Sequence, residues 1–64
     1  MLTVDEETKQ QIKQNKLRQL SYQHYEIQLQ KIVHQARGEE LLATQAGDEL
    51  ARLEAAYNAI DALL

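Results

Sequence analysis

Few side chains in this sequence could do chemistry: two histidines, ten carboxylates and one short basic stretch. His24 and His34 are ten residues apart, and no cysteine accompanies them. On a helix that spacing separates them by about 80° around the axis and roughly 15 Å along it, too far to share one metal ion. They read as solvated or interface-polar imidazoles, and neither a metal site nor a cofactor is expected. The carboxylates have local explanations. Asp5, Glu6 and Glu7 suit the start of one helix, Glu39 and Glu40 the start of another, and Asp48 stands four residues before Arg52 as an ordinary helical pair. A catalytic acid needs an enclosing cavity to raise its pKa, and a chain this short has little interior to form one. With no Gly-rich phosphate loop and no activated Ser/His arrangement, no catalytic residue is expected and the chain reads as non-enzymatic.

Lys9, Lys13 and Lys16 follow helical spacing, with Arg18 close by, and could form a stripe that meets phosphates. They sit beside Asp5, Glu6 and Glu7 in a chain of net charge −3, so the stripe reads as a solvated face and nucleic-acid binding is not expected.

The elements that position these residues are helices. Proline is absent, there are two glycines, and alanine, leucine, glutamine, glutamate and lysine dominate. Thr3-Val4-Asp5-Glu6 has the spacing of a capping box, which predicts a helix beginning at residue 4. Nothing breaks it before Arg37-Gly38, where glycine can take a left-handed conformation and end it. The reading is therefore one domain over residues 1–64: helix 4–36, turn 37–38, helix 39–63. Gly47-Asp48 offers an alternative turn at 47–48, but Leu42, Ala46, Leu50, Leu53, Tyr57, Ile60 and Leu64 keep helical phase through it. The fold class is all-α, a two-helix antiparallel hairpin resembling a coiled coil.

Helix 1 carries two apolar stripes. Tyr22, Tyr25, Leu29, Ile32, Val33 and Ala36 share one face, and Leu17, Leu20 and Ile27 lie roughly opposite, with Ile12 at the edge. The longer stripe is expected to pack within the chain against Leu42, Leu50, Leu53, Tyr57 and Ile60. Leu17, Leu20 and Ile27 are then expected to form an intermolecular interface. A chain of 64 residues buries only about 60% of its unfolded surface and here has no disulfide, so association is the stabilising device left to it. Charge is divided in a way that suits side-by-side arms. Residues 1–37 hold six Lys/Arg against four Asp/Glu (+2), and residues 38–64 hold one against six (−5). Eight of the nine glutamines lie between Gln10 and Gln35, which keeps a long helix soluble without charge.

The stretch Leu50-Ala51-Arg52-Leu53-Glu54-Ala55-Ala56-Tyr57-Asn58-Ala59-Ile60-Asp61-Ala62-Leu63, preceded by Gly47-Asp48-Glu49, resembles the second arm of small helical-hairpin proteins from tailed-phage structural gene modules. The lysine- and glutamine-rich first arm, Lys9 to Leu20, is similar in style. The likeness covers most of the chain through composition and phase, and no functional residue carries over. It implies a minor bacteriophage virion, neck, tail or assembly component. The functional expectation is a structural or adaptor protein acting through helix–helix packing, with itself as a homo-oligomer, with a larger protein assembly, or with both. The alternative is a small regulator that binds and inhibits a host protein or nucleic-acid machine. No apolar run exceeds three residues and the acidic N-terminus lacks the order of a signal peptide, so the expected location is intracellular and soluble, or a virus particle.

Overall fold

A rod with extents of 52 × 19 × 14 Å follows from two long helices laid side by side. The computed structural model describes residues 3–63, and within them α1 spans Glu6–Ala36 and α2 spans Glu40–Asp61. Residues 3–63 contain no strand, and α2 folds back antiparallel along α1. Leu64, the last member of the apolar series on the second arm, lies outside the described residues, as do Met1 and Leu2.

The start of α1 differs from the capping box expected at Thr3. Thr3 and Val4 lie before the helix, and Asp5 caps it in an extended conformation, its Oδ1 accepting from the Thr8 amide at 2.7 Å. A carboxylate outcompetes a hydroxyl here because its charge also meets the positive end of the helix dipole. Glu6, freed from the box, sits 3.3 Å from Lys9 instead.

Gly38 ends α1 with φ +73, the left-handed conformation that a side chain resists. The Glu39 amide donates to the His34 carbonyl at 2.9 Å and the Gly38 amide to Gln35 at 3.1 Å, the paired pattern of a glycine-terminated helix. Glu39 precedes α2 with no side-chain cap, and α2 runs unbroken through Gly47, so the alternative turn at 47–48 is not used. At the far end Lys13 reaches across from α1. Its Nζ donates to the carbonyls of Asp61 (3.2 Å) and Leu63 (2.7 Å), which satisfies acceptors that α2 leaves open and places a cation at its negative pole.

The two glycines should respond oppositely to alanine. A Cβ at Gly47 would meet Lys31 Nζ at 3.6 Å and Cε at 3.9 Å, ordinary contacts, so Gly47→Ala should stabilise by about 0.5–1 kcal/mol through helix propensity. Gly38→Ala should cost about 1–2 kcal/mol, because the left-handed conformation is retained with a Cβ present. Urea melts of both variants check the ranking.

Asp5 gives a pH signature. Thr8, through its hydroxyl first and its amide second, holds the Asp5 carboxyl below its ordinary value of 3.8. A carboxyl whose pKa is lowered on folding contributes stability above its unfolded pKa and loses it as pH falls through the lowered value. Acidification below about pH 4 should therefore fray the first turn, seen as a lower protection factor of the Thr8 amide relative to its intrinsic exchange rate at each pH. Asp5→Asn should abolish that pH dependence.

Candidate functional site

The interface between the helices follows a strict alternation of four- and three-residue steps. On α1 the inward positions are Lys13, Leu17, Leu20, His24, Ile27, Lys31 and His34, all buried or half-buried. Glu39 before α2 and Ala43, Ala46, Leu50, Leu53, Tyr57 and Ile60 on it face them with the same steps. Leu17, Leu20 and Ala43 are the most enclosed, at 5%, 6% and 7% exposure.

This reverses the expected use of the faces of α1. Leu17, Leu20 and Ile27, expected between molecules, form the seam within the hairpin. Tyr22, Tyr25, Leu29, Ile32, Val33 and Ala36, expected inside, point outward. Tyr22 is 68% exposed, Tyr25 61%, Ile32 59% and Leu29 46%. The physical reason is reach. The apolar face of α2 runs its whole length, and only a series on α1 from Lys13 to His34 can cover it; the tyrosine stripe starts at residue 22. Leu42 is corrected too. Stepping back three from Ala46 places Ala43 in the seam, where its small side chain lets the helices approach near the turn, and Leu42 stays 41% exposed.

Polar side chains complete the seam from its edges. His24 Nε2 lies 3.0 Å from Glu54 Oε1 across the hairpin, and His34 Nδ1 lies 3.2 Å from Glu39 Oε1 beside the turn. Each imidazole thus meets a carboxylate of its own chain. The Glu39 carboxylate faces His34 rather than capping α2. Arg52 pairs with Glu49 at 3.4 Å, not with Asp48 as expected. Among the described residues no lysine or arginine of α1 forms an ion pair with a carboxylate of α2, so the opposed charges of the two arms do not act through direct bridges. No group of three His, Asp or Glu side chains gathers to hold a metal among the described residues.

At the open end of the hairpin, Val4, Ile12, Ile60 and Leu63 line a groove of about 680 Å³ with lysines at its rim. Two of those lysines are engaged, Lys9 with Glu6 and Lys13 with the α2 carbonyls. Among the described residues Glu6 is the one carboxylate lining the groove, and no nucleophile and base meet there.

The surface with most to offer is therefore the outer face of α1 from Tyr22 to Ala36. Sequence reasoning found these six residues but gave them the wrong partner. What it missed were the seam positions Lys13, His24, Lys31, His34 and Ala43. Their signal was the unbroken 4-3 spacing through Leu17, Leu20 and Ile27, which polar identities concealed. No protein-family model, curated protein or solved structure matches the chain. No helix among the described residues is long and apolar enough to cross a membrane.

Truncating the two faces should separate their roles. Leu20→Ala removes a 6%-exposed side chain and should cost about 2–4 kcal/mol. Leu29→Ala should cost less than about 1 kcal/mol when melted at high dilution, since it is nearly half exposed in the hairpin alone. Equal losses would mean that Leu29 belongs to the hairpin core.

Proposed function

We propose that this chain is a non-enzymatic structural or adaptor protein that works by packing the outer face of α1 against other protein. The observation that carries this reading is the row Tyr22, Tyr25, Leu29, Ile32, Val33 and Ala36, all exposed and in helical register on the side turned away from α2. Single surface apolar residues are common and need no explanation, but a contiguous row containing two tyrosines is typical of interaction surfaces. The total surface supports the same reading. A compact folded monomer of 7.4 kDa exposes about 4,200 Å² by size scaling, and this one exposes 5316 Å². Such a chain suits an assembly component, and the tailed-phage hairpins that it resembles offer one setting: a virion, neck, tail or assembly role.

Affinity capture with the tagged chain tests the proposal. The parent should recover itself or components of a larger particle. Tyr25→Ser combined with Ile32→Ser should lose them while keeping its helical circular dichroism. Retained capture by the double variant would sink the reading. Recovery of one stoichiometric host enzyme or nucleic-acid factor would replace it with an inhibitory regulator.

A further inference from the structure

Resting on the packing role proposed above, we infer that the outer face of α1 is occupied by a second copy of this chain, antiparallel about a twofold axis at Leu29. The charge pattern selects a copy. Between Arg18 and Arg37, α1 holds only two charges, Glu26 and Lys31, and Lys31 lies half-buried on the seam side next to Gly47. The stripe is thus bordered mainly by glutamines such as Gln19, Gln28 and Gln30. An amide donates and accepts, so it is complementary to itself, as a contact between identical surfaces requires. A border of one sign would repel its own copy. The acidic arms, net −5 over residues 38–64, end up on the two outer sides of such a dimer, away from each other.

Side-chain size selects the orientation. With Leu29 at the axis, positions whose numbers sum to about 58 meet, so Tyr22 lies over Ala36 of the copy and Tyr25 over its Ile32. Large side chains fall on smaller ones, as close packing demands. A parallel pair would set Tyr22 on Tyr22, Ala36 on Ala36 and Arg18 beside Arg18. In the antiparallel pair the two Arg18 stand about 33 Å apart along the helices and the two Glu26 about 9 Å.

The area agrees. The six stripe residues expose on the order of 600 Å² per copy, so pairing them removes about 1,200 Å², the lower end of specific interfaces. This fits a reversible dimer, and the roughly 600 Å² removed from each copy accounts for about half of the surface that one hairpin exposes beyond a compact chain of its mass.

Sedimentation equilibrium of the full chain, with circular dichroism alongside, tests this. The parent should show a concentration-dependent mass approaching twice 7.4 kDa. Leu29→Glu should weaken self-association by at least about tenfold, since it buries two like charges at the axis, with helicity kept at high dilution. Leu41→Glu, on α2 at a position 71% exposed and off the stripe, should leave it unchanged. Under mild oxidation Leu29→Cys should give a covalent dimer and Tyr22→Cys none, whereas Tyr22→Cys mixed with Ala36→Cys should cross-link. A parent that stays monomeric at every concentration, or a dimer indifferent to Leu29→Glu, overturns the assignment. Efficient self-cross-linking of Tyr22→Cys overturns the antiparallel register. If the parent is monomeric yet Tyr25→Ser with Ile32→Ser still abolishes capture of another component, self-pairing fails and the packing role survives; if neither holds, both fail.

Discussion

Each helix of a two-helix chain has only the other to lean on, so all tertiary stability passes through one seam. That seam must keep phase along its full length, because a slip of one residue on either helix turns its apolar positions into water. The 4-3 alternation from Lys13 to His34 and from Glu39 to Ile60 meets this demand. Its depth is modest, since only Leu17, Leu20 and Ala43 are enclosed among the described residues. Burying a leucine contributes about 1.5–3 kcal/mol, while fixing one residue's backbone costs about 1–2 kcal/mol. A hairpin with so few enclosed leucines stands close to the edge of stability, where caps, turn and edge contacts matter.

Polar residues in the seam then act as registers. Lysine can lay its methylenes along apolar surface and keep its ammonium at the edge. Lys13 does so at the open end, with its ammonium on the α2 carbonyls, and Lys31 lies beside Gly47, where the missing side chain leaves room. His34 with Glu39 ties the turn, and His24 with Glu54 marks the middle. Exposed pairs of this kind contribute little stability. Their value is positional: sliding α2 by one turn would take Glu54 from His24 and the last carbonyls from Lys13, and would strand polar groups against leucine.

The helical nature of the chain and the position of its reversal were legible in the sequence because they depend on local chemistry. Absence of proline, the carboxylates clustered at the start of the first arm and Arg37-Gly38 all act within a few residues, although the cap itself falls to Asp5 and not to Thr3. Which face of α1 turns inward was not legible from hydrophobicity alone. Tyr22, Tyr25, Leu29, Ile32 and Val33 outnumber Leu17, Leu20 and Ile27, and a reading weighted by apolar content chooses the larger stripe. The fold weighs continuity instead. Lys13, His24, Lys31 and His34 look like surface residues until their spacing is laid beside the full apolar length of α2. Leu42 and Ala43 show the same conflict on a smaller scale: the larger residue is the more apolar, but the smaller one lies in phase.

Because the seam claims the weaker stripe, the stronger one is left exposed on the outer face of α1. A chain that needed only to fold would gain by placing its tyrosines and branched residues inside, where each large side chain adds most to burial. Here they lie outside, along the half of α1 nearest the turn, where Gly38 holds the reversal and α2 already supports the helix from behind. That support matters for recognition. A helix ordered before contact does not spend association energy on its own ordering, so its exposed side chains act as a preformed surface. In return, whatever covers the face stabilises the hairpin by mass action, because a partner that binds only the folded form draws the equilibrium toward it. Marginal folding and an apolar outer face are then two consequences of one allocation of residues. The seam carries enough apolar surface to define the hairpin, and the remainder lies exposed on its outer face.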